Sequence, residues 1–180
     1  MPRIAYRDPA TLSEKSRAVY GEAPANAMKM LATASEPMFH AYMDMGTIFL
    51  TQSSVPPKLR ELAILRVGHL SRSQYEVFQH EALSRHVGLS EAEIAAIAVR
   101  DMSKLDAEQV AVMNFVDDIV TNVRASDDTL EAVKAHLTDS QIIDLMMVSG
   151  LYMIMARMLE TVAVEIDVAP VDWDKENLGE

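Results

Sequence analysis

Residues 56–89, PPKLRELAILRVGHLSRSQYEVFQHEALSRHVGL, decide how this chain folds. They hold two helix-like segments, and side chains four apart lie above one another on a helix. Glu76, His80, Leu83 and Val87 therefore share one ridge, a carboxylate and an imidazole on a stripe otherwise apolar. Burying either group costs several kcal/mol, roughly, unless each finds a hydrogen bond or an opposite charge. A third polar residue, Glu61, sits in the preceding segment between Arg60 and Leu62. Only residues 71–73 separate the segments, so the pair folds as an antiparallel or steeply crossed hairpin. Such a hairpin carries Glu61 towards His80.

The rest of the chain supports a helical setting. At 180 residues and 49% apolar it can bury a real core as one domain, 1–180. Six Gly and seven Pro, with long Ala, Leu and Met runs, favour helix over sheet. The formal net charge is −11, and none of the sixteen Lys and Arg residues form a basic patch. Nucleic acid and acidic membrane surfaces are excluded as partners on that ground. There is no cysteine, hence no disulfide and no thiol chemistry. The first fifteen residues, MPRIAYRDPATLSEK, do not read as a signal peptide, and a cytoplasmic setting is expected. The apolar run 145–156 is short for a bilayer and closed by Asp144 and Arg157. It reads as a helix covered by protein on all sides.

Caps and breakers mark the other helices. A helix opens at Thr11 and ends near Tyr20, before Gly21 and Pro24. Residues 26–34 and 36–50 follow, the latter restarted by Ser35 and Pro37. Residues 57–70 leave little polar face, and 73–86 form the ridge helix with Gly88 behind it. Ser90 and Glu93 make a capping box for 91–99. Two amphipathic helices span 106–123 and 126–136, and Asp139 caps a last one reaching Val164. Trp173 is expected to pin the tail onto a neighbouring surface.

Three blocks carry a resemblance: residues 57–67 (PKLRELAILRV), 75–80 (YEVFQH) and 88–94 (GLSEAEI). Together the chain resembles the carboxymuconolactone decarboxylase and AhpD-like alkylhydroperoxidase superfamily, most strongly over residues 56–97. The resemblance implies an all-α, AhpD-like helical bundle built around a helical hairpin, assembled with copies of itself as a homodimer, homotrimer or homohexamer. In peroxidase members of that family a Glu precedes a Cys-x-x-Cys pair, and a His follows it. Glu61 and His80 occupy the Glu and His positions, while Ser73 and Glu76 stand where the cysteines would be. Decarboxylase members are similar in another way, with a Glu four residues before the His, as Glu76 precedes His80.

Without thiols the peroxidase cycle has no nucleophile, and proton chemistry is what remains. His80 is expected to shuttle protons, with Glu61 its orienting partner or the base and Glu76 the second carboxylate. This suits a small-molecule substrate of lactone or oxo-acid type, with Tyr75, Ser73 and Arg66 as substrate-binding candidates. The competing reading is structural: His80 is a satisfied core residue, and Glu61 pairs with an Arg such as Arg66 or one from another subunit. Arg66 and Arg157 could hold a substrate carboxylate or bridge helices. One imidazole and two carboxylates are a sparse metal set, so no metal or other cofactor is expected.

Overall fold

Prolines, glycines and short polar caps divide the chain into helices: α1 (Glu14–Tyr20), α2 (Asn26–Leu31), α3 (Glu36–Thr51), α4 (Pro57–Ser71), α5 (Gln74–His86), α6 (Glu91–Val99), α7 (Ala107–Thr121), α8 (Asp127–Lys134) and α9 (Asp139–Val162). The computed structural model describes residues 1–173, and no strand occurs among them. The protein is all-α, as its composition predicts.

Helix α4 is the axis of the bundle. It has almost no polar face, and every residue from Leu59 to Gly68 is buried. A helix that is apolar all round must be covered all round, and α5, α6, α7 and α9 pack against it. Pro57 at its first position fits the unpaired N-terminal end of a helix. At the other end Arg72 turns left-handed (φ 56°), and the Ser73 amide donates to the Gly68 carbonyl at 2.9 Å. The chain reverses there and α5 folds back along α4, forming the expected hairpin. Gly68 permits the close approach, since a Cβ at that position would lie 3.2 Å from Val77 Cγ2 and 3.5 Å from Glu76 Cβ.

Two apolar clusters flank the hairpin. The larger joins α4, α6, α7 and α9 through residues such as Leu62, Ile97, Phe115 and Leu145. The smaller gathers Leu12, Leu31, Phe39, Tyr75 and Leu159 from the N-terminal helices, α5 and the end of α9. Tyr42 packs against both, so it marks the seam between them.

Several local expectations need correction. The first helix starts at Glu14 rather than Thr11, because Ser13 takes the cap and Pro9–Thr11 forms a separate tight turn. The second ends at Leu31, short of Ala34. The last helix is capped by Thr138, whose side chain and that of Gln141 close a capping box; Asp139 is its first residue, and it stops at Val162. Its sides also differ from expectation. Leu145, Val148, Leu151 and Leu159 are buried, but Ile143, Met146, Met147 and Ile154 are exposed, so protein covers one side only. By length and composition α9 is also the one helix, among the described residues, apolar enough to cross a membrane.

The tight α4–α5 crossing has a measurable consequence. Gly68→Val inserts methyl groups where only a hydrogen fits, and should lower the stability of the fold by about 1–3 kcal/mol. Gly68→Ala should cost less. Urea unfolding midpoints of the two variants check the order.

Candidate functional site

The hairpin places a buried chain of charge. Arg60 Nε donates to Glu61 Oε1 at 3.2 Å, and Glu61 Oε2 lies 2.8 Å from His80 Nδ1. Glu61 is wholly inaccessible and Arg60 nearly so. The guanidinium is held from its far side too, since Nη1 donates to the carbonyls of Phe49 and Leu50, each at 3.1 Å. A carboxylate this deep would be prohibitive alone; here each oxygen meets a donor, one of them charged. The Glu61 partner is thus its own neighbour, not Arg66. Arg66 instead pairs with Asp117 and donates to the Ile97 carbonyl, away from His80.

With Nδ1 committed to Glu61, Nε2 is the His80 nitrogen left for the space that His80 lines. The ring meets Tyr152 edge-on at 4.7 Å and has Trp173 at 6.4 Å. Between them lies a cavity of about 150 Å³, walled by Ala25, Ala27, Tyr75, Glu76, Gln79, His80, Tyr152, Met155, Leu159, Val171 and Trp173. The hairpin therefore gathers Glu61, Glu76 and His80 as the ridge pattern predicts, and gives two of them a cavity.

Glu76 differs from Glu61 in kind. It is 3% exposed, and neither carboxyl oxygen has a hydrogen-bond partner among the described residues. Burial, then the nearby charge of Glu160, pushes its pKa from 4.5 up to about 9. At neutral pH it is a carboxylic acid, able to donate a proton or a hydrogen bond. Trp173 Nε1 is buried and equally unpartnered among the described residues. A buried polar group without a partner costs about 1–3 kcal/mol, and both belong to residues that line one cavity.

The segment after α9 forms one wall of the cavity, through Val171 and Trp173. Ala163 turns left-handed (φ 56°) and redirects the chain. Asp167 then accepts from the Tyr75 hydroxyl, from Gln79 Nε2 at 2.9 Å and from the Asn26 amide at 2.9 Å. Further along, the Val171 amide donates to Gln79 Oε1 at 2.8 Å. This strap delivers Trp173 to His80, so the tail is pinned as expected, and onto the site itself. Tyr75 walls the cavity, but its hydroxyl is occupied, donating to Asp167 and accepting from the Ala27 amide at 3.0 Å. Ser73 is buried with an unpartnered hydroxyl and borders a different cavity, beside His69 and Arg72. Among the described residues no group of three or more acidic or histidine side chains is arranged to hold a metal.

Sequence reading missed Arg60, Tyr152 and Asp167. Arg60 adjoins Glu61 and could have been named, because a buried carboxylate needs a cation. Tyr152 and Asp167 come from far along the chain, and only folding brings them near.

Residues 36–118 match the carboxymuconolactone decarboxylase family. A protein of unknown function from Agrobacterium tumefaciens, described as a candidate antioxidant defence protein AhpD, superposes with a TM-score of 0.70 at 26% identity, over 76% of this chain and 95% of that one. An alkylhydroperoxidase AhpD core, an uncharacterized peroxidase-related protein from Ralstonia eutropha JMP134, gives 0.80 at 19% identity over 93% of each chain. An uncharacterized peroxidase-related protein from Silicibacter sp. TM1040 gives 0.70 at 18% identity over 78% of this chain and 75% of that one. No curated protein matches the chain.

The state of Glu76 can be read from stability. The folded protein keeps the proton up to about pH 9, whereas the unfolded chain releases it above 4.5. Between those values the unfolded state binds fewer protons, so stability falls as pH rises, by about 1.4 kcal/mol per unit from this group. Glu76→Gln removes that slope and should gain on the parent protein steadily from about pH 5 to pH 9. Urea midpoints across that range check it.

Proposed function

We propose that this chain, which belongs to the carboxymuconolactone decarboxylase and AhpD-like superfamily, is an enzyme that moves protons on a small carbonyl compound of lactone or oxo-acid type. One observation carries the reading: a histidine oriented by a buried carboxylate and a carboxyl group without partners wall the same cavity. In the proposed step His80 Nε2 takes a proton from the carbon beside the substrate carbonyl. The electron pair moves onto the carbonyl oxygen, and the protonated Glu76 meets the growing charge with a hydrogen bond or its proton. A carboxylic acid kept neutral by an apolar site can do this at pH 7. Glu61 holds the ring with Nδ1–H towards itself and steadies the imidazolium, while Arg60 balances the Glu61 charge.

Thiol peroxidation is not proposed, although two similar structures carry peroxidase-related descriptions. The sequence contains no cysteine, and the Ser73 hydroxyl cannot pass through a sulfenic acid. The second reading is a non-catalytic ligand-binding protein. The wall favours it, because the Tyr75 hydroxyl and the Gln79 amide are already engaged by Asp167.

Deuterium exchange separates the two. With cyclohexanone in deuterium oxide, followed by NMR, the protein should speed loss of the protons beside the carbonyl. His80→Ala should cut that rate by about 10²-fold or more, and Glu61→Gln by at least about tenfold, with helical circular dichroism retained. Ligand binding without exchange would leave the binding reading. Unfolding of both variants would make the cluster structural.

Self-association belongs to the same proposal. The exposed side of α9, with Ile143, Met146, Met147 and Ile154, is apolar surface that another copy would cover, as a dimer, trimer or hexamer. A cytoplasmic setting without nucleic-acid or membrane partners accords with the net charge of −11. Met147→Lys with Ile154→Lys should lower the mass seen by light scattering. An unchanged mass would move the contact elsewhere.

A further inference from the structure

We propose that the His80 cavity accepts only uncharged, oxygen-bearing ligands, lactones and simple ketones, and rejects the corresponding carboxylic acids. The inference rests on the proposed function and narrows it, separating two substrate types that the chemistry of His80 alone leaves equal.

The wall supplies the argument. Its unsatisfied groups are hydrogen-bond donors, the Trp173 indole N–H and the Glu76 carboxyl, while Ala25, Ala27, Met155 and Leu159 are apolar. Donors without partners call for an acceptor oxygen. They do not call for an anion, because no Lys or Arg is among the described lining residues. Every arginine near enough to consider is committed elsewhere. Arg60 lies behind Glu61 with its donors taken by that carboxylate and by the carbonyls of Phe49 and Leu50. Arg66 holds Asp117, and Arg157 donates to the Met153 carbonyl at 2.6 Å and borders another cavity.

The charges that do surround the cavity are negative. Asp167 is hydrogen-bonded to Tyr75 and Gln79 of the wall, Glu61 stands behind His80, and Glu160 acts on Glu76 from α9. His80 is the one group on the wall able to become a cation, and Glu61 already faces its Nδ1. A carboxylate entering here would lose its water and meet three carboxyl-bearing neighbours, with no cation among the described lining residues to pair it. A net charge of −11 adds long-range repulsion. A neutral carbonyl loses little hydration, lies between the two residues that carry the unpaired donors, whose side chains need only a small turn to meet it, and leaves its ring or chain against the apolar wall. The small volume, about 150 Å³, suits a single small ring.

Trp173 is the only tryptophan in the chain, so its fluorescence reports this cavity directly. The test titrates the whole protein at pH 7 with γ-valerolactone and, separately, with 4-hydroxyvalerate, the same carbon skeleton ring-opened and charged. Cyclohexanone is set against cyclohexanecarboxylate, which carries a charged group on a ring of the same size. Each neutral compound should shift the emission and bind at least tenfold more tightly than its acid. Glu76→Gln, which keeps a neutral donor, should retain lactone binding. Trp173→Phe, followed by calorimetry, should weaken it. Ala25→Lys, which puts a cation on the wall, should raise affinity for 4-hydroxyvalerate at least tenfold. Equal or tighter binding of the acids, or no emission change with either neutral compound, overturns the inference. Neutral-selective binding without deuterium exchange overturns only the catalytic reading.

Discussion

The burial of Glu61 is the constraint on which the rest of the structure depends. A carboxylate with no solvent contact is tolerable only if both oxygens are met, and that requirement fixes two relationships. Arg60 must turn inward beside it, which commits the guanidinium to the last carbonyls of α3. His80 must come within 2.8 Å, which fixes the rotation and depth of α5 against α4. Gly68 supplies the close contact that lets the second condition hold. One polar group in an apolar helix thus sets the geometry of three helices. Such groups act as registry devices in some systems at little net gain in stability, and here the same device orients an imidazole.

The two carboxylates of the site divide because their surroundings divide. Glu61 has a cation and an imidazole; Glu76, one helix away, has neither and sits near another acid. Burial keeps the Glu76 carboxyl protonated at neutral pH, while both Glu61 oxygens are met by donors.

How much was legible in the sequence follows from the range of each interaction. The hairpin, the convergence of Glu61 with His80, and most helix limits depend on residues close along the chain, where periodicity and caps speak directly. The capping box at Ser90 and Glu93 stands as read. The cap of α9 was misplaced by one residue because Thr138 and Asp139 are both good caps, and only Gln141 reaching back to Thr138 decides between them. The cover on α9 was overestimated because an apolar run does not reveal which side meets a neighbour. Ser73 and Tyr75 were given substrate roles from position alone. Folding buries the first beside a different cavity and gives the second hydroxyl to Asp167.

The strap shows where the sequence falls silent. Asp167 lies 87 residues from His80, and nothing local marks it as different from the other acids of an acidic chain. Its role arises because α9 ends at Ala163 in a left-handed turn, which throws the following residues across α5. From there Tyr75, Gln79 and the first amide of α2 converge on one carboxylate. Those contacts come from the smaller apolar cluster, while Glu61 belongs to α4 at the centre of the larger one. The cavity is therefore the seam between two packing units, with one wall, Val171 and Trp173, delivered by a segment anchored to one of them.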